Sequence, residues 1–267
     1  MKFEETGLRD GKTMLLLPGT ACTWEINFAM VIDELKEHYH LICVNYDGFD
    51  GDSSKPFTDM ITVTEKIEDY ITRHHGGRVD GAYGSSLGGS FVGLLVQRKR
   101  IHIDHAILGG SDLDQGGKVV GRLAAGLISH FMKGANKSPK KKEKLMNLLQ
   151  KGLGIEMTDE TAGFMNRFAD SIASLHPRTV SREYYSDYVT PLENDIHVDG
   201  TTVHFIYAQK MGDKYLERYY QHFRNPDIIP FDMPHEAWLF SSTWKQPVLD
   251  AIDALMGLRQ AAEDGIL

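Results

Sequence analysis

Six short aliphatic runs, each closed by turn residues, set the strongest limit on how this chain can fold. They fall at 13–18 (TMLLLP), 40–46 (HLICVNY), 78–83 (RVDGAY), 103–108 (IDHAIL), 202–208 (TVHFIYA) and 227–231 (DIIPF). Runs this short and this apolar read as strands buried on both faces. Helical patterns separate most of them, at roughly 24–37, 62–74, 87–99, 214–223 and 244–260. Strand–helix alternation at this spacing demands right-handed crossovers, hence an α/β fold with a mostly parallel, doubly wound sheet. The stretch 2–6, followed by a Leu-Arg-Asp-Gly turn, supplies an antiparallel edge strand.

The segment 113–195 breaks this rhythm. Helical patterns near 117–133, 139–152, 159–175 and 178–188 follow one another with no strand between them. Ser138-Pro139 and Thr158-Asp159-Glu160 have the form of helix starts, a polar cap followed by proline or acids. The organisation expected is a core formed by 1–112 and 196–267, with a helical cap, 113–195, inserted between strands.

Bulk properties exclude several classes. Among 267 residues, 42% are hydrophobic, enough for a sizeable core, and the formal charge of −8 argues against a nucleic-acid surface. No apolar run approaches the roughly 18 residues needed to cross a bilayer, and residues 1–6 are charged, unlike a signal peptide. Cys22 and Cys43 form neither a CxxC pair nor a ligand cluster. A cytoplasmic protein without metal or cofactor is expected, acting on a small-molecule substrate, with no membrane partner; the cap and edge strand leave homo-oligomerisation open. The run Lys140-Lys141-Lys142-Glu143-Lys144 reads as a solvated helix face. Asp47, Asp50 and Asp52 lack the twelve-residue pattern of a calcium loop.

The chemistry concentrates in Gly81–Phe91, GAYGSSLGGSF. In an open parallel sheet, ligands sit beyond the carboxyl ends of the strands, and this stretch lies at such an end. The pattern G-x-S-x-G is satisfied only with Ser86 at its centre, between Gly84 and Gly88. Centred on Ser85 the flanks would be Tyr83 and Leu87. Alone the pattern is weak; after a buried strand and before a helix it describes a strained turn that exposes a nucleophilic hydroxyl.

At this point the chain resembles the α/β-hydrolase superfamily, in particular its cap-bearing single-domain members. The resemblance is carried by LLLPGTACTW, VNYDGFDGDSS, YGSSLGG, the helical insertion and PHEAWL, in that order. It implies a serine hydrolase with a Ser-His-Asp triad, acting through an acyl-enzyme on a small carboxylic ester. Carbon–carbon bond hydrolases, amidases, lyases and weakly catalytic small-molecule receptors share the scaffold. Position along the chain makes His235, after the last strand, the implied base. His74, His75, His102 and His105 precede strands and belong at the opposite edge of the sheet; His204 lies within a strand as a packed histidine. For the acid, the usual place after strand 202–208 falls on Met211, which cannot serve. Asp213 stands two residues later, and Asp112, after the preceding strand, is the alternative. Asp213 also suits a cap for the helix 214–223. The implied oxyanion donors are the backbone N–H of Leu87 and one from the loop Pro18-Gly19-Thr20-Ala21, with Thr20 preferred to Ala21. Cys22 and Trp24 are near enough in sequence to line a pocket, and packing accounts for both equally well.

Overall fold

The aliphatic runs assemble, in the computed structural model, into one seven-stranded sheet. The structure describes residues 1–51, 56–113, 116–135, 138–154 and 158–258. The strands are β1 (Lys2–Gly7), β2 (Lys12–Leu17), β3 (Tyr39–Asn45), β4 (Arg78–Ser85), β5 (His102–Gly109), β6 (Thr202–Ala208) and β7 (Asp227–Phe231). Their spatial order is β1-β3-β2-β4-β5-β6-β7. Only β1 is antiparallel, running against β3 with Phe3 opposite Val44; the other neighbours are parallel. Met14 to Leu17 of β2 are wholly buried. A sheet covered on both faces leaves no solvated side for alternation to serve, which is why these strands are unbroken aliphatic runs.

The covering helices follow local rules. The expected helix 24–37 is instead two, α1 (Trp24–Asn27) and α2 (Ile32–His38). Asn27 at the break is buried, and its side chain accepts from the Gly19 N–H rather than continuing a helix face. Next, α3 (Met60–His75) is capped by Asp59, which accepts from the Thr62 N–H at 2.8 Å, and stops at Gly76 with φ +62°. It is followed by α4 (Leu87–Arg98).

Between β5 and β6 lie α5 (Gly117–Ala135), α6 (Pro139–Leu153), α7 (Asp159–Ser174) and α8 (Pro177–Val189). Pro139 occupies the first turn of α6, and Thr158 and Thr161 cap α7 reciprocally. Helical periodicity divides α8 among three neighbours. Thr179, Glu183 and Ser186 are buried on one side, where the Ser186 hydroxyl accepts from the Met60 N–H at 2.7 Å. Ser181 donates to the Ala125 carbonyl of α5. Val180 and Tyr184 face the cavity described below. Beyond β6 follow α9 (Asp213–His222) and α10 (Ser242–Leu255).

Asp47 and Asp50 pair with the Met1 ammonium, and Asp47 also with Lys66, so both acids are engaged in ion pairs. Asp52 lies outside the described residues. Among the described residues no helix is long and apolar enough to cross a membrane.

Candidate functional site

The chain leaves β2 to build β3 on one side of the sheet, then returns to lay β4 on the other. A doubly wound sheet opens a crevice at such a reversal, outside the carboxyl ends of the two diverging strands. Here β2 and β4 end side by side, with Leu17 opposite Gly84. Beyond them come the loop Pro18-Gly19-Thr20-Ala21 and the pair Ser85-Ser86.

Ser86 joins β4 to α4 with φ +53° and ψ −114°, a conformation that non-glycine residues avoid. Strain of this kind costs about 1–3 kcal/mol and persists only where the surroundings enforce it. They do: the Ser86 N–H donates to the Gly109 carbonyl of β5 at 2.7 Å, and its carbonyl accepts from Gly89 at 2.9 Å. The turn is closed so tightly that a Cβ on Gly84 would stand 2.1 Å from the Gly88 carbonyl oxygen. One on Gly88 would stand 2.1 Å from that of Leu17. Glycine is therefore a steric requirement at both positions. The Ser86 side chain is left at the amino end of α4, where the first N–H groups have no intrahelical acceptor.

Opposite it, His235 follows β7 by way of Met233 and Pro234. Gly110, just past β5, approaches the His235 ring so closely that a Cβ there would lie 3.1 Å from Cε1. Burial lowers the His235 pKa to about 4. The next residue, Glu236, is buried, and its Oε2 accepts from the Tyr83 hydroxyl at 2.7 Å, which in turn receives the Trp238 indole N–H at 2.9 Å. Burial raises the Glu236 carboxyl to about 7, against the pull of hydrogen bonds from Tyr83, Ser85 and Trp238. Both residues are thus neutral across mildly acidic pH. Glu236 escapes sequence reasoning. Its one signal is an acid set between His235 and the apolar Ala237-Trp238-Leu239.

Ser86, His235 and Thr20 share the wall of one cavity of about 150 Å³. Ser85, Asn27, Ala21, Cys22 and Glu236 complete the polar end, and Phe164, Phe168, Ile172, Val180, Leu239 and Phe240 form an apolar one. Leu87 adjoins Ser86 as the first residue of α4. In the 19–22 loop the Gly19 N–H donates to Asn27, that of Ala21 to the Glu183 carboxyl at 2.9 Å, and that of Cys22 to the Gly19 carbonyl. Among the described residues the Thr20 N–H is the one in this loop without an acceptor. Burial pushes the Cys22 thiol well up and so keeps it protonated, while Trp24 is packed against β3, its N–H donating to Asn45.

The two candidate acids lie off the cavity wall. Asp213 is exposed at the start of α9, where Gly212 rather than Asp213 takes the cap position. Burial, with the charge and hydrogen bonding of the Asp213 carboxylate, raises the Tyr207 hydroxyl. Asp112 is half-buried on the segment that runs on from Gly110, and its charge acts on Tyr184 and Tyr219. The remaining histidines stand elsewhere. His204 is buried between Asp227 and His105, His75 bonds Glu5, and His102 faces Asp104. Among the described residues no group of histidine, cysteine or acid side chains could hold a metal ion.

No protein-family model matches the sequence, and no curated protein matches it at a significant level. The likeness lies in structure. A Desulfitobacterium hafniense protein assigned to the alpha/beta hydrolase family superposes with a TM-score of 0.72 at 17% identity, over 94% of this chain and 99% of that one. A thermophilic esterase from Thermogutta terrifontis gives 0.71 at 14%, over 96% and 93%. The enol-lactonase from Burkholderia xenovorans gives 0.66 at 12%, over 96% of each chain. At such identities the likeness is one of fold.

Proposed function

We propose that this chain, which has the α/β-hydrolase fold, is a serine hydrolase cleaving a small carboxylic ester. The observation that carries the reading is Ser86, held in a strained turn at a helix amino terminus, on the same cavity wall as His235. A serine hydroxyl is a weak nucleophile until a base takes its proton. His235 takes it as Oγ bonds to the ester carbonyl carbon, and the oxyanion is received by the N–H groups of Leu87 and Thr20. Collapse breaks the bond to the alkoxy oxygen, and the alcohol leaves with the proton from His235. Water, losing a proton to His235, then attacks the acyl carbon, and His235 returns that proton to Ser86 as the acid departs. The helices α5–α8 act as a cap: the apolar side chains that α7 and α8 bring to the cavity take the acyl group. Two of the structural neighbours are by name an esterase and an enol-lactonase, which supports an ester bond as the one cleaved.

The direct test is a fluorophosphonate probe read by intact mass and peptide mapping. One adduct on Ser86, absent from Ser86→Ala and slowed in His235→Ala, is expected. A wild-type protein that takes no adduct overturns the reading.

For the triad acid we favour Asp112 over Asp213: Asp112 follows two residues after Gly110, which passes against the His235 ring, whereas Asp213 is exposed beside the Tyr207 hydroxyl. Asp112→Asn is expected to lower kcat by about 10²–10⁴-fold, since the acid holds the imidazole tautomer and stabilises the imidazolium. Asp213→Asn is expected to leave kcat within about twofold. The opposite ranking in steady-state kinetics would return the role to Asp213.

A base must be neutral to act, so the acid limb of kcat/KM should fall at the lowered His235 pKa, about 4, and not at the usual 6.5. A limb near 6.5 would mean that water reaches the ring freely in the free enzyme. The same burial affects stability. A depressed histidine contributes stability that is complete above 6.5 and lost as pH falls through about 4. A raised carboxyl such as Glu236 contributes stability complete below 4.5 and lost as pH rises through about 7. Each is worth about 3 kcal/mol at 1.36 kcal/mol per pH unit, so between 4.5 and 6.5 the two slopes cancel. Urea denaturation of His235→Gln should unmask the Glu236 slope, with stability falling as pH rises from 4.5 to 7.

A further inference from the structure

We propose that Glu183 is a positioning residue, a buried carboxyl reaching from α8 that takes the Ala21 N–H and thereby fixes Thr20 as the loop donor facing Ser86. This rests on the serine-hydrolase reading above. Glu183 is wholly buried, and its Oε2 accepts from Ala21 at 2.9 Å across 162 residues of sequence. Ala21 itself is held at φ +58°, so the loop is bent at the residue Glu183 grips. On the Gly19 side the loop is fixed by Asn27. Thr20 lies between these two anchors. Without the second anchor, Ala21 could turn its own N–H toward the cavity or withdraw the loop from Ser86.

Neutrality matters to this role. Burial, with Asp187 on the same helix, raises the Glu183 carboxyl well above the ordinary range, against the pull of the Ala21 N–H. Tyr46 and Cys22, on the core side, are themselves buried and protonated, so no cation among these neighbours would stabilise a carboxylate. An acceptor without charge can hold the loop beside a developing oxyanion; a carboxylate in the same place would oppose it.

The substitution that preserves this arrangement is Glu183→Gln, which keeps a carbonyl acceptor of the same reach; kcat within about threefold of wild type is expected. Glu183→Leu keeps the bulk and removes the acceptor. It is expected to lower kcat by about 10- to 100-fold with KM within about threefold, as loss of one oxyanion donor does. The Ala21 amide should exchange at least about tenfold faster with deuterium in Glu183→Leu and unchanged in Glu183→Gln. Wild-type kcat in Glu183→Leu, an equal loss in Glu183→Gln, or a change confined to KM each overturns the role. Should Glu183→Leu fail to fold, Glu183→Asp decides: shortened by one methylene, it is expected to lose kcat as the leucine would, and full activity overturns the role. The fluorophosphonate probe separates the two readings. Labelling of Ser86 with a fully active Glu183→Leu overturns the Glu183 role alone, whereas wild-type protein that neither labels nor turns over ester overturns both.

Discussion

Ser86→Ala is expected to lower kcat for ester hydrolysis by at least about 10⁴-fold, leaving only what oriented binding and the backbone donors supply. The loss follows from chemistry alone, because alanine has no atom to attack the carbonyl and His235 no proton to take. It should not follow from unfolding. Alanine occupies the same backbone conformation, φ +53°, and removes no hydrogen bond that the main chain makes to Gly109 or Gly89. Ser85→Ala supplies the contrast. The Ser85 hydroxyl sits 3.4 Å from the Asn27 amide and beside Glu236, so its removal should cost about 1–2 kcal/mol of stability and less than about tenfold in kcat. A dead Ser85→Ala and an active Ser86→Ala would refute the nucleophile assignment, whatever the stabilities.

The second large effect is structural. Gly88→Ala should destabilise the protein by more than about 4 kcal/mol, because the new methyl would lie 2.1 Å from the Leu17 oxygen and 3.0 Å from that of Pro18. Neither side can yield. One is the end of β2, fixed by its pairing with β4, and the other is the first turn of α4. For a chain of this size that cost corresponds to a fall in Tm of roughly 10 °C or more. Gly126 is the control. It is exposed in α5 with nothing within 4 Å of an added Cβ, so Gly126→Ala should stabilise by about 0.5–1 kcal/mol through helix propensity. A Gly88→Ala protein with unchanged Tm in thermal unfolding would mean that the turn at Ser86 is more open than described.

What could be read from the chain was whatever local sequence encodes. The parallel sheet is written in runs such as Met14–Leu17 because burial on both faces leaves no polar position to confuse the pattern. The turn at Ser86 is written in the glycine spacing, since Gly84 admits the close approach of β4 to α4 and Gly88 that of β2. The placing of His235 after β7 follows from strand order, and the structure does set it on a common wall with Ser86 and Thr20. What could not be read depends on distant partners. Glu183 and Glu236 look like ordinary acids in sequence, and their burial comes from contacts 162 and 153 residues away. The division of 24–37 into two helices likewise comes from Asn27 being claimed by Gly19, a tertiary demand that overrides the helical pattern. The surroundings of Asp213 and Asp112 are also set by the fold: one is exposed beside Tyr207, the other half-buried near Tyr184 and Tyr219.

Because α8 sorts its side chains by face, it separates two properties that enzyme engineers usually find entangled. A combinatorial library of apolar residues at Val180 and Tyr184, with Ile172 of α7 as a third position, would vary the side chains that line the cavity. Thr179, Glu183 and Ser186 on the same two turns would stay untouched, and with them the seat of the helix on the core. Such a library should return altered selectivity with few unfolded members, whereas randomising the preceding residues of α8, Thr179 and Glu183, should return mostly unfolded ones.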